Sequence, residues 1–213
     1  PADRTGPVSL KWLGATHGGW LCALLGMNRA KSAAEFRESL RPWHVPTFNM
    51  VFADVDGQIG MQCAGRIPLR ATAERGYRAG WDPGQQWLGL IPFEAMPAVE
   101  NPSSGWIVTA NNRLAPNDYP YPLFGTWNGG YRAQRIREML ESLAARPAPL
   151  RPMSLDDMRT LQYDTLSLRA AECLPHLMRQ LTIRLEREEE PLVREAVTHL
   201  ESWDGRVEVD RVG

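Results

Sequence analysis

Two polar residues, Asn49 and Arg70, stand near the ends of a segment that predicts a β-hairpin. Apolar and polar side chains alternate over residues 49–63, and Asp56-Gly57 supplies a two-residue turn. Because a hairpin folds back on itself, we expect Asn49 at the start of its first strand and Arg70 just past its second to lie near one sheet edge. An amide donates hydrogen bonds without charge, and a guanidinium holds several at once. The pair is therefore predicted to reach a shared water or ligand oxygen.

The other residues that could do chemistry favour structural roles. Four histidines lie along the chain: His17, His44, His176 and His199. They have no metal-ligand spacing and no serine partner, which argues against a Ser-His triad. Three cysteines are also far apart: Cys22, Cys63 and Cys173. We expect buried free thiols, and one disulfide stays open if the protein is exported.

The acidic and amide residues are expected to stabilise turns and loops through hydrogen bonds and not to bind a metal ion. Asp54 and Asp56 are close in sequence, but turn geometry explains Asp56 more simply than a metal role. We therefore assign no metal ligand. Asn111-Asn112-Arg113 and Arg132 are expected to form buried polar links that hold loops.

Composition limits the classes of partner. The chain has 213 residues, a net charge of -1 and 43% hydrophobic residues, which suffices for a sizeable core. A near-neutral charge argues against nucleic acid as an electrostatically attracted partner. No apolar run approaches about 18 residues, so we expect no membrane span.

The order of predicted elements indicates an α+β fold, with strands mainly before residue 112 and helices after residue 131. We expect residues 1–130 to form a β-rich part and residues 131–213 a helical part of the same chain. Strands are predicted over residues 8–13 and 106–111, besides the hairpin.

Helix signals are local. Ser32 followed by Glu35 has the form of a capping box and predicts a helix over about 32–41. Ser154 and Asp157 predict a second capped helix.

Several motifs follow one another in the order found in a known family. They are Gly65-Arg66-Ile67-Pro68-Leu69-Arg70, Trp87-Leu88-Gly89-Leu90-Ile91-Pro92-Phe93, Thr109-Ala110-Asn111-Asn112-Arg113, Tyr131-Arg132-Ala133 with Arg135-Ile136, and Leu161-Gln162-Tyr163-Asp164. Together with the hairpin, the succession resembles the penicillin amidase (penicillin acylase) family of N-terminal-nucleophile hydrolases. The resemblance implies part of an αββα fold and a hydrolase that cleaves the N-acyl bond of linear or cyclic amides through an acyl-enzyme.

The resemblance also assigns roles to two residues. Asn49 is similar to the family's side-chain oxyanion donor, and Arg70 to the arginine that orients that Asn and the amino terminus of the nucleophile. Structural alternatives stay open, because Asn49 could cap the start of a strand and Arg70 could form a surface salt bridge.

The family's nucleophile is an N-terminal Ser whose free α-amino group acts as the base. Because this sequence begins with Pro1, we expect it not to carry that nucleophile. We therefore expect a C-terminal-side fragment of the catalytic β chain, inactive by itself. Its expected partners are a small-molecule N-acyl substrate and the remainder of the precursor, namely the α chain and the N-terminal part of the β chain.

The resemblance does not specify the substrate, and it gives only broad expectations for cofactor and localisation. Family members cleave penicillins, cephalosporins, acyl-homoserine lactones and cyclic lipopeptides, so no single acyl group is implied. No cofactor is expected in this chain, while a calcium ion in the full-length enzyme would take ligands mostly from outside it. Family members are periplasmic or secreted, although no signal peptide is visible in this chain. The alternative function is a non-catalytic structural or binding module that folds alone.

Overall fold

A computed structural model of the protein describes residues 6–15, 18–71, 76–123, 125–147, 153–186 and 190–210. Contacts divide the chain into two compact units. The first contains Pro1–Thr109 and Arg113–Trp127, and the second contains Ala110–Asn112 and Asn128–Gly213. All strands of the described residues belong to the first unit, and the second is helical apart from one isolated bridge, so the fold class is α+β as predicted.

The elements follow one another in a simple order. The first helices are α1 (Trp20–Arg29) and α2 (Ala33–Ser39). They are followed by the strands β1 (Phe48–Ala53), β2 (Ile59–Ala64), β3 (Pro68–Leu69), β4 (Gly89–Leu90) and β5 (Ala98–Glu100). After the strands come the helices α3 (Tyr131–Ala144), α4 (Leu155–Gln162), α5 (Leu168–Leu185) and α6 (Pro191–Ser202). Short 3₁₀ turns occupy Leu13–Ala15, Pro83–Gln85 and Phe93–Ala95.

The predicted hairpin is confirmed in β1 and β2. These strands pair antiparallel, with Asn49 opposite Cys63, and β5 extends the sheet in the order β1-β2-β5. The connection is longer than the predicted two-residue turn, because Asp54 N–H donates to Gln58 O and closes a wider loop. Gly57 has a φ of +80°, in the left-handed region that favours glycine.

Two predicted strands are wrong. Residues 8–13 and 106–111 form no strand, whereas β5 was not predicted at all. Alternation of apolar and polar side chains predicts one exposed and one buried face, but a strand also needs a hydrogen-bonding neighbour. The segment at Ala98–Glu100 has that neighbour, because it pairs with β2.

The core of the first unit packs α1 and α2 against the sheet. Its main cluster joins Ala23 of α1, Leu40 after α2 and Ala64 of β2 with Trp43 and Phe93. Burying such side chains stabilises the fold by about 25 cal/mol per Å² of apolar surface. The β1-β2 sheet is thereby held against the helices.

The predicted cysteine environment is partly wrong. All three thiols are free, but only Cys63 is buried, while Cys22 and Cys173 are exposed. Burial raises the pKa of the Cys63 thiol to about 11. The two exposed cysteines lie on α1 and α5, on faces that the described residues leave uncovered.

Both predicted N-caps are confirmed, but only one of them forms a complete capping box. The Ser32 hydroxyl accepts from Glu35 N–H at 3.2 Å, whereas the Glu35 carboxylate accepts from Lys31 N–H at 2.8 Å and not from Ser32 N–H. Ser154 and Asp157 form a complete capping box at α4. None of the helices in the described part of the chain combines the length and apolarity that a membrane-spanning segment requires.

Candidate active site

Asn49 is the second residue of β1, at an edge of the described sheet. Its side chain is half-buried, and Nδ2 donates to the Thr109 hydroxyl oxygen at 3.2 Å. Among the described residues, the structure gives the second N–H of this amide no hydrogen-bond partner. Strand β1 therefore holds an uncharged donor, and its second N–H can donate to a ligand.

The sequence did not predict the contact between Asn49 and Thr109. The two residues are 60 positions apart, and Thr109 ends an irregular segment that the alternation pattern presented as a strand. The one signal in the sequence is that Thr109 opens one of the family-like motifs. That signal marks the segment without indicating which side chain it meets.

Arg70 follows β3, which pairs with β4 in a separate two-stranded sheet. Its guanidinium carbon lies 5.8 Å from the centre of the Trp87 ring, and Lys11 Nζ lies 4.6 Å from the same ring centre. Both distances allow cation–π attraction. Burial, together with the like charge of Arg78, lowers the pKa of Arg70 below its usual value. Arg70 thus belongs to a cationic group around an aromatic ring.

Arg70 does not follow the second strand of the hairpin directly, as was predicted. Strand β2 ends at Ala64, and Gly65 then turns the chain with a φ of +120°. A Cβ at this glycine would meet Thr47 at 2.9 Å, so the close approach also requires glycine. The chain then enters the second sheet. Asn49 and Arg70 lie in one compact unit but on different sheets.

The acidic residues of the hairpin organise its loop. The Asp54 carboxylate accepts from the N–H groups of Ala33, Asp56 and Gln58 at 2.9–3.0 Å. These bonds favour the ionised form and lower the pKa of Asp54. Within the described ranges, no group of three or more His, Cys, Asp or Glu side chains could hold a metal ion.

The predicted polar links around Asn111 are present. Arg132 donates to the Asn111 side-chain oxygen at 2.8 Å and to Ala110 O at 3.0 Å, and Asn112 accepts from Ala110 N–H. Asn111 has a φ of +59°, a conformation that Asn tolerates better than most residues. The links hold this loop, although Asn111 itself is exposed rather than buried. Arg113 is exposed as well, and it donates to Asn117 and Pro116.

A group of ion pairs lies among the helices of the second unit. Asp164 accepts two hydrogen bonds from Arg135, and Arg206 lies 3.6 Å from the same carboxylate. The Asp164 side chain is only 9% exposed. It lines a cavity of about 750 Å³ that α3 and α5 border. The sequence did not predict this pairing, although both residues belong to family-like motifs.

Comparison with known proteins places the chain in a family. Residues 2–213 match the family described as penicillin amidase. The chain is 36% identical to penicillin acylase 2 proenzyme of Pseudomonas sp. (strain SE83), over 87% of this chain and 22% of that protein. It is 33% identical to penicillin G acylase of Escherichia coli, over 75% of this chain and 18% of that protein. An acyl-homoserine lactone acylase (QuiP) of Pseudomonas fluorescens (strain Pf0-1) is 28% identical, over 88% of this chain and 23% of that protein.

A solved structure shows the same fold. The thermostable penicillin G acylase from Alcaligenes faecalis superposes with a TM-score of 0.63, at 23% identity, over 91% of this chain and 34% of that one. The chain spans less than a quarter of the length of the three curated acylases named above. Because the family match extends over almost every residue, this chain belongs to the penicillin amidase family.

Proposed function

We propose that this chain is part of an amidohydrolase that cleaves an N-acyl amide bond through an acyl-enzyme. Family membership supports the reaction class, since the relatives named above are acylases. In such a reaction a nucleophile adds to the amide carbonyl carbon, and the carbonyl oxygen becomes an oxyanion. The amine then leaves with a proton, and water hydrolyses the acyl-enzyme.

The observation that carries the site assignment is the state of the Asn49 amide. It is half-buried on a sheet edge, with one N–H bonded to Thr109 and the other without a partner in the described part of the chain. A fixed neutral donor stabilises an oxyanion without creating a charge that must be desolvated. Removing one such donor typically costs about 3–4 kcal/mol of transition-state stabilisation. We assign Asn49 this role.

Arg70 is proposed to position other catalytic groups and not to contact the reacting carbonyl. Its contact with Trp87 limits the motion of the guanidinium, and its partial burial leaves the charge less screened than on an open surface. A guanidinium can orient polar groups through several hydrogen bonds, and the groups proposed for Arg70 are Asn49 and the amino terminus of the nucleophile.

The nucleophile is proposed to lie outside these 213 residues, in the remainder of a processed precursor. The short span relative to the curated relatives supports this, since the matches cover about a fifth of their length. Apolar surface supports it too: α1 exposes Trp20, Leu21 and Leu25, and β1 exposes Phe48 and Val51. Several large apolar side chains exposed on one short helix and on an edge strand are typical of a surface that another part of a protein covers.

The test is a burst experiment on the complete protein with chromogenic phenylacetyl and aliphatic anilides. An acyl-enzyme route predicts a rapid release of aniline, stoichiometric with enzyme where deacylation is the slower step, and a covalent acyl adduct visible by mass spectrometry. The isolated 213-residue chain is expected to release none. Absence of hydrolysis by the complete protein would refute the proposed function, and turnover by the isolated chain would refute the external nucleophile.

A further inference from the structure

The strand fixes the position of the Asn49 Cα but not the direction of its side-chain amide. The backbone is fixed, because Asn49 pairs with Cys63 across β1 and β2 and Cys63 is buried. The side chain is not fixed by this pairing. The terminal torsion of an Asn side chain has broad energy wells, so a strand alone leaves the amide plane free to swing.

Thr109 supplies the missing constraint. Nδ2 of Asn49 donates to its hydroxyl oxygen at 3.2 Å. An amide nitrogen is planar, so fixing the direction of one N–H also fixes the direction of the other. Thr is well suited to this task, because its branched Cβ restricts the rotation that carries the hydroxyl.

We propose that Thr109 is a positioning residue that holds the second N–H of Asn49 toward the developing oxyanion. The inference rests on the proposed function of Asn49. It adds that the donor is prepared before substrate arrives, which is the condition under which such donors contribute most to catalysis. Thr109 itself touches neither the substrate nor the nucleophile in this account.

The test uses Thr109→Val, which keeps the shape of the side chain and removes the acceptor. In the complete protein we expect kcat on the anilide substrate to fall about tenfold, with KM changed less than about twofold. Thr109→Ser retains the hydroxyl and is expected to stay within about twofold of the wild-type kcat. Thr182→Val is the matched control, since the Thr182 hydroxyl donates to Met178 O within its own helix, α5.

A double-mutant cycle separates positioning from a general structural effect. If Thr109 acts through Asn49, Thr109→Val causes no further loss of kcat in the Asn49→Ala background. An equal loss in both backgrounds would overturn the inference, as would a Ser variant as impaired as the Val variant. If Thr109→Val yields no folded protein, Thr109→Ala takes its place in the cycle, since it also removes the acceptor.

Failure of the inference is distinguishable from failure of the proposed function. A normal kcat for Thr109→Val beside an impaired Asn49→Ala would refute the positioning role and leave the oxyanion role intact. A normal kcat for Asn49→Ala would refute both. A tenfold loss in the wild-type background that disappears in the Asn49→Ala background supports the inference.

Discussion

Asp164 accepts two hydrogen bonds from one guanidinium, with Arg135 Nε at 2.7 Å and Nη2 at 3.0 Å. This two-point geometry links α3 to the segment between α4 and α5. Arg206 adds a second positive charge at 3.6 Å, and a β-bridge between Leu166 and Arg206 brings the end of the chain to the same place. The helices of the second unit therefore meet at one nearly buried carboxylate.

Loss of this charge should destabilise the protein. Asp164→Asn keeps the shape of the side chain but leaves Arg135 without its ionised partner, so we expect a loss of about 2 kcal/mol. Urea unfolding measures the difference. Asp156→Asn is the matched control, because the pair of Asp156 with Arg159 is exposed on α4 and is expected to contribute about 0.5 kcal/mol or less. Equal destabilisation by both variants would contradict this account.

The same carboxylate should make stability depend on pH in the acid range. The hydrogen bonds from Arg135 hold the pKa of Asp164 below its usual value of about 3.9 in the folded state. As the pH falls, the unfolded chain therefore binds a proton at Asp164 before the folded protein does. The stabilisation from the ionised Asp164 is complete above the unfolded pKa, and it is lost as the pH falls through the lower pKa of the folded state.

Unfolding free energies measured for wild type and Asp164→Asn at a series of pH values test the assignment. The difference between the two proteins is expected to shrink as pH falls below about 4. A constant difference across the acid range would show that Asp164 contributes through shape and not through charge.

Arg70 is expected to affect more than one step. Arg70→Ala removes the group proposed to orient Asn49 and the nucleophile, so both precursor processing and kcat should fall. Gel analysis of the processed chains and anilide turnover measure the two effects. Arg159→Ala, which removes an exposed guanidinium from α4, is the control. Normal processing and kcat in Arg70→Ala would reduce Arg70 to a structural cation beside Trp87.

Local signals in the sequence predicted local structure well. The caps at Ser32 and Ser154 depend on residues three positions away, and the structure contains both. The hairpin was predictable for the same reason, since its strands are joined by a short loop with Gly57 at a positive φ. The fold class follows from the order of these elements.

Long-range pairing was not predictable from the pattern. Strand β5 exists because β2 lies beside it, and its own three residues carry no strong strand signal. The same limit applies to the site, because Asn49 and Thr109 meet from positions 60 residues apart. Arg70 follows a different sheet from that of Asn49 because Gly65 turns the chain after β2, a backbone feature that alternation of side chains does not reveal.

The most direct test of the central claim is kcat for Asn49→Ala in the complete protein. Removing the proposed oxyanion donor should lower kcat about 10²–10³-fold while KM changes little, because the interaction forms mainly in the transition state. Precursor processing is expected to remain intact. Asn117→Ala, which removes an exposed amide that accepts from Arg113, is the matched control and should keep the wild-type kcat. A near-normal kcat for Asn49→Ala would contradict the account and leave Asn49 as a structural residue at the start of β1.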